Sequence, residues 1–190
     1  MALPEKTILF AKRRPIRFCL LCMLLLYAAN IGRCLVWPPM WNLADENPTS
    51  TAFMDYRQDQ WQAEDKTVKV SWTWRSLSRI SPNLRRAVIV AEDSTFWEHH
   101  GFDWEGIRVA LDKNLDRGRL SAGGSTITQQ LAKNLYLSPE KSVTRKLQEA
   151  ILTCRLEMNL SKDRILELYL NVVEWGKGVY GAEAAARRYF

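Results

Sequence analysis

Two carboxylates, a group of cations and a glycine pair are the residues of this sequence best suited to chemistry. Glu92 closes an apolar helical run (Leu84, Ala87, Val88, Ala91) and opens the segment Glu92-Asp93-Ser94-Thr95-Phe96-Trp97-Glu98-His99-His100-Gly101-Phe102-Asp103. Partial burial at such a place would suit a carboxylate to proton transfer, and the neighbouring aromatics would exclude water. A solvated helix end, where acids are common, is the plainer alternative. The second candidate is Gly123-Gly124-Ser125-Thr126-Ile127-Thr128-Gln129-Gln130-Leu131-Ala132-Lys133-Asn134. Glycines before a helix expose backbone N–H groups where the helix dipole favours an anion. The hydroxyls, amides and Lys133 that follow suit a diphosphate, whereas a Gly-rich loop before a polar helix is the structural alternative. The segment lacks the Gly-Lys-Ser/Thr ending of a nucleotide P-loop, and Ile127 replaces the last glycine of a nucleophile elbow. The third candidate is Arg145-Lys146-Leu147-Gln148-Glu149, where Arg145 and Glu149 share a helix face. Taken alone, it reads more readily as a surface salt bridge.

Helices must position these groups. Ser81-Pro82 caps a first helix to about Glu92, and Asp103 caps a second carrying Ile107, Ala110, Leu111 and Leu115 up to Gly118. A third follows Gly123-Gly124 to about Leu135. Ser138-Pro139 announces a fourth whose stripe Val143, Leu147, Ala150, Ile151, Cys154 and Met158 is expected to face the core. Ser161 caps a fifth with Ile165, Leu166, Tyr169 and Leu170; together with Lys162, Arg164, Glu167 and Asn171 it is expected to build a wall of the fold. Gly176, Gly178 and Gly181 allow a tight turn before an alanine-rich helix. Residues 38–80 have no clean period. One short strand is expected over Thr67–Trp72, and Trp61, Trp72 and Trp74 read as packing or membrane-surface residues.

The 190-residue chain is 47% hydrophobic and 25% charged, which excludes a disordered chain. A formal net charge of +6 suits an anionic partner. Since the basic residues adjoin the apolar stretch and the candidate motifs, that partner is expected to be a membrane or a phosphorylated substrate and not nucleic acid. Lys6, Lys12, Arg13, Arg14 and Arg17 precede an uncharged run from Phe18 to Gly32; Arg33 interrupts it before Cys34-Leu35-Val36-Trp37. Counted from Phe18 to Trp37, the stretch reaches the roughly 20 residues a bilayer requires. Tyr27-Ala28-Ala29 is a poor cleavage site, so an uncleaved anchor is expected. The basic flank would keep the N-terminus in the cytoplasm. Cys19, Cys22, Cys34 and Cys154 form neither a disulfide framework nor a zinc site. His99 and His100 are the only histidines, which excludes a three-histidine metal centre.

The candidate segments, with Lys162-Asp163-Arg164-Ile165-Leu166-Glu167-Leu168-Tyr169-Leu170-Asn171 and the glycine turn ending in Tyr189-Phe190, together resemble glycosyltransferase family 51, the peptidoglycan glycosyltransferases. The resemblance covers about Ser81 to Phe190, and the short distance from anchor to first motif resembles the monofunctional branch. It implies a mainly α, lysozyme-like glycosyltransferase domain behind a single N-terminal transmembrane helix. The implied organisation is a cytoplasmic basic tail over 1–17, a transmembrane anchor over 18–37, a juxtamembrane connector over 38–80 and the catalytic domain over 81–190. Family members continue some tens of residues beyond the final Tyr-Phe, so the domain is expected to be C-terminally incomplete. The resemblance places the protein in the bacterial inner membrane as a single-pass protein, with its catalytic domain on the outer, periplasmic face. The implied substrates are lipid II and the growing glycan strand, and the implied protein partners are other cell-wall synthesis or division proteins. It makes Glu92 the general base and Glu149 the second carboxylate. Phe96, Ser125, Gln129, Gln130, Lys133, Arg145 and Lys146 become the substrate-binding set. No metal ligand is assigned; Glu149 is the one candidate for a divalent cation, Mg or Mn, at the diphosphate. The rival functions are a lytic lysozyme-type hydrolase and a non-catalytic membrane-anchored cell-wall scaffold.

Overall fold

A computed structural model describes residues 15–116, 118 and 123–190. Lys6, Lys12, Arg13 and Arg14 of the basic tail lie outside the described residues. The chain divides into two compact units, Met1–Trp37 and Pro38–Phe190. In the first unit α1 spans Pro15–Gly32 and continues as a 3-10 turn over Arg33–Leu35. The apolar stretch Pro15–Leu35 has 21 residues and a mean hydropathy of 1.9, which suffices by length and composition to cross a membrane.

The second unit is mainly helical. Its helices are α2 (Ala52–Ala63), α3 (Pro82–Glu92), α4 (Trp104–Asp116), α5 (Ile127–Tyr136), α6 (Val143–Asn159), α7 (Lys162–Val172) and α8 (Gly181–Tyr189). Three short strands, β1 (Ser71–Trp72), β2 (Glu174–Gly176) and β3 (Val179–Tyr180), form a sheet of order β1-β3-β2. β1 runs parallel to β3, and β2 runs antiparallel to it. The strand expected over Thr67–Trp72 thus shrinks to its last two residues.

The central element is α5. It opens with a capping box in which Thr126 Oγ1 accepts from Gln129 N and the Gln129 side chain returns to Thr126 N. Ile127, Leu131 and Ala132 are fully enclosed, with Leu152 and Leu156 of α6 and Ile165, Leu166, Leu168 and Leu170 of α7 completing the core. Ser161 Oγ caps α7 through Arg164 N, as its sequence predicts. The cap of α6 is Ser142, whose Oγ accepts from Arg145 N, and not the expected Ser138.

Residues 38–80, expected as a connector over this domain, fall within the same compact unit. Thr51 caps α2, which buries Met54 and Trp61 and packs on α5. The polar residues of α7 staple the rest. Arg164 donates to the carbonyls of Leu43 and Glu46. Glu167 accepts from Leu77 N at 2.7 Å. The fully buried Asn171 side chain accepts from Arg75 N and donates to Arg75 O, each at 2.8 Å. A hydrophobic period cannot reveal this segment, because side-chain to backbone bonds hold much of it.

The orientation of α6 is the reverse of the expected one. Its inward residues are Gln148, Glu149, Leu152, Thr153, Arg155 and Leu156, while Val143, Leu147, Cys154 and Met158 are exposed. Burying this polar face is feasible because its groups are partnered. Glu149 holds Arg145 and Lys146, Arg155 donates to Pro38 O at 2.7 Å, and Thr153 Oγ1 donates to Glu149 O at 2.7 Å.

Candidate active site

The site forms where the C-terminus of α3 meets the start of α5 and the first turns of α6. Asp93, directly after α3, is buried. Its Oδ1 lies 2.9 Å from His99 Nε2, and its Oδ2 accepts from Ile127 N at 2.9 Å. Gly101 N donates to His99 Nδ1 at 3.1 Å, so the ring proton sits on Nε2 and points at Asp93. Thr126 Oγ1 donates to Gly101 O at 2.7 Å. These bonds sew the loop 93–103 to the start of α5 and set Glu92 beside the glycine loop.

Two glycines make that seam possible. Gly101 has φ 92°, and a Cβ there would stand 2.7 Å from Thr153 Cγ2. A Cβ on Gly124 would meet Ile107 Cα at 3.2 Å and Ala110 Cβ at 3.3 Å, so the loop can lie this close to α4 only without a side chain. Asp103 caps α4 as expected, accepting from Gly106 N at 2.7 Å and from Thr95 Oγ1 at 2.8 Å. The Gly106 amide, then the Thr95 hydroxyl, hold its carboxyl below the usual range.

Glu92 itself is exposed, in contrast to the expected partial burial. It borders two cavities. One, of about 360 Å³, is polar and is lined by Asp103, Lys113 and the Gly123–Thr126 loop. The other, of about 350 Å³, is mainly apolar and is lined by Leu84, Ala87, Ala91, Tyr169 and Trp175. Its carboxylate is oriented by a two-step chain. Gln130 Nε2 donates to Glu92 Oε2 at 2.9 Å, and Tyr169 Oη donates to Gln130 Oε1 at 3.0 Å. The hydroxyl fixes which end of the amide faces Glu92. Burial raises the Tyr169 pKa far above the ordinary phenol value, so this donor keeps its proton.

The cations gather around the second carboxylate. Arg145 Nη1 lies 2.5 Å from Glu149 Oε2, and Lys146 Nζ pairs with Oε1. Lys146 also reaches Ser125 Oγ at 3.4 Å, which joins the cluster to the glycine loop and the polar cavity. Burial lowers the Lys133 pKa; Glu149 opposes this, Arg145 and Lys146 add to it, and Glu92 opposes it again. Lys133 thus senses both carboxylates. Arg145 Nε is buried and has no hydrogen-bond partner among the described residues, which leaves a spare donor within the cluster.

Glu92, Ser125, Gln130, Lys133, Arg145, Lys146 and Glu149 therefore come together as one site. Phe96 and Gln129 do not join them. Phe96 is fully buried, edge-on to Trp97, with Lys162 Nζ 4.5 Å from its ring centre. The Gln129 amide is consumed by the capping box. The α5 N-terminus also differs from the expected anion site, because its first amide is already given to Asp93. Tyr169 is the residue that sequence reasoning placed in the wall of the fold. Its spacing on α7 marks a core position, and only its hydroxyl reaches the site.

Residues 60–190 match the family described as Transglycosylase. The biosynthetic peptidoglycan transglycosylase of Aromatoleum aromaticum is 54% identical over 171 residues, covering 90% of this chain and 72% of the relative. That of Laribacter hongkongensis is 49% identical, covering 90% and 73%. That of Thiobacillus denitrificans is 52% identical, covering 88% and 70%. The matched span contains Glu92, the glycine loop, the cation cluster and Tyr169, and on that ground the chain belongs to the transglycosylase family.

Proposed function

We propose that this membrane-anchored peptidoglycan glycosyltransferase polymerises lipid II, with Glu92 as general base and the Glu149-centred cations receiving the leaving diphosphate. One observation carries the assignment. A carboxylate oriented by Gln130 borders the polar cavity whose Ser125 touches the Lys146–Glu149–Arg145 cluster. The acceptor sugar's 4-hydroxyl attacks the donor's anomeric C1. Its proton passes to the Glu92 carboxylate, the C1–O bond to phosphate breaks with inversion, and the lipid diphosphate departs. Lys133, Arg145 and Lys146 stabilise the charge developing on that leaving group. Glu149 cannot stabilise phosphate itself; it holds two of the cations in place.

The same pairing bears on a divalent cation. Both Glu149 oxygens pair with cations, which supports charge neutralisation by Lys133, Arg145 and Lys146 over a divalent ion at Glu149. The basic residues before α1 support an N-terminus in the cytoplasm and a catalytic unit on the outer face of the inner membrane.

The test is polymerisation of lipid II by the full chain, read as glycan ladders on a gel. Glu92→Gln should reduce turnover by about 10²-fold or more, the usual worth of a positioned base. Undiminished ladders with Glu92→Gln would refute the assigned base. Cleavage of finished glycan without lipid II consumption would instead support a lytic hydrolase.

A further inference from the structure

A second cavity adjoins the apolar one that Glu92 borders. Glu174 and Trp175 of β2 line both. The second cavity has a volume of about 510 Å³ and is polar, and α2 forms its other wall. Arg57, Gln60 and Glu64 stand there at positions i, i+3 and i+7, on one face of the helix and its cap. They are tied in series. Arg57 Nε donates to Glu174 Oε2 at 3.2 Å and Arg57 Nη1 to Gln60 Oε1 at 3.1 Å, while Gln60 Nε2 donates to Glu64 Oε1 at 3.4 Å. Lys177, in the turn from β2 to β3, joins the lining. α2 lies outside every candidate motif, and the proposed reaction uses none of these groups.

We propose that this cavity is a distal subsite for a glycan strand, holding sugar rings already joined while the end of the strand reacts beside Glu92. The choice of a glycan rests on the polymerase reading of the site; the cavity and its junction with the Glu92 cavity do not. Two cations face two carboxylates in the lining, so the cavity favours neither a polyanion nor a polycation. Donors and acceptors are instead mixed at short range. A sugar hydroxyl donates and accepts at once, and an acetamido group does the same, so a neutral saccharide can engage a lining that an apolar ligand cannot. Trp175 supplies the other half of sugar recognition. It is 36% exposed at the junction, and its indole offers an apolar platform to the C–H face of a ring. The hydrogen bonds running from Glu174 to Glu64 fix the α2 side chains before a ligand arrives, which lowers the entropy lost on binding. A strand seated across Trp175 keeps a hold through its far sugars after each transfer, so elongation outruns release.

The probes are long peptide-free glycan strands that carry no lipid, and the corresponding disaccharide. Their binding to the full chain in detergent is measured by calorimetry. The strands should bind about tenfold tighter or more, since each added hydrogen bond is worth roughly 2–10-fold. Glu64→Ala and Lys177→Ala, both at exposed positions, should together lower strand affinity severalfold. In the ladder assay the same double variant should give shorter strands than the parent at equal lipid II consumption. Equal affinity for strand and disaccharide would overturn the inference, as would an unaltered strand affinity in the double variant. Binding of the free peptide of lipid II in place of peptide-free strands would also overturn it, because the lining would then serve the charges of the peptide. A chain that makes no polymer yet binds strands through Glu64 and Lys177 would refute the proposed function alone. A polymerising chain whose strand affinity ignores both residues would refute this inference alone.

Discussion

Glu149→Gln is the most informative single substitution in the site, because its magnitude can be worked from the geometry. The Glu149 side chain is 4% exposed, its Arg145 partner 15% and its Lys146 partner 49%. Removing one member of a buried pair costs about 3–5 kcal/mol, mostly because the other charge is left uncompensated. The half-exposed Lys146 pair adds only about 0–1 kcal/mol after solvent screening. Glutamine keeps an amide oxygen that can accept from Arg145, which lowers the expected loss to about 2–4 kcal/mol. For a unit of this size that corresponds to a fall of about 5–15 °C in Tm. Thermal unfolding of the full chain in detergent, followed by circular dichroism, measures it. Inorganic diphosphate should then raise the Tm of the variant more than that of the parent, since Lys133, Arg145 and Lys146 lack their carboxylate. A Tm within about 1 °C of the parent, on the scale just given, would refute the claim that Glu149 holds the cluster together. An equal response to diphosphate would refute its role in balancing the anion site.

Two further outcomes test the supports of the site. Tyr169→Phe removes only the hydroxyl that orients Gln130; losing a bond worth about 0.5–1.5 kcal/mol should lower kcat by about 2–10-fold. KM for lipid II should stay near its parent value, and a fall confined to KM would contradict an effect exerted through Glu92. Asp103→Ala removes the α4 cap and should cost about 0.5–2 kcal/mol in denaturant unfolding at neutral pH. The Asp103 pKa is depressed in the fold, so its contribution is complete above the ordinary aspartate pKa of about 3.9 and is lost as pH falls through the lower folded value. Parent and variant stabilities should therefore converge in strong acid, and a gap that persists there would show that the cap acts by some other means.

The candidate site was readable in sequence wherever chemistry depends on residue type and order. The proposed base Glu92, the glycine loop, Lys133 and the Arg145–Glu149 pair all fall in short local motifs. It is less legible where a side chain has two uses. The Gln129 amide is consumed by the capping box and the Phe96 ring by the core, and neither choice is encoded in spacing. Tyr169 was missed for the converse reason: a residue at a core position lends only its terminal hydroxyl to the site.

The sequence by itself determined a mainly helical chain, an apolar stretch able to span a membrane, the cap at Asp103 and the identity and order of the catalytic candidates. These depend on local propensity, capping and composition, which act over a few residues. Only the tertiary structure decided which face of α6 lies inside. Periodicity locates an apolar stripe but assumes that the stripe is buried. Here paired charges on the other face bond one another and nearby carbonyls, so that face could be enclosed and the stripe left outside. The incorporation of residues 38–80 was likewise decided at long range, by Arg164, Glu167 and Asn171 bonding backbone about 90 to 120 positions earlier.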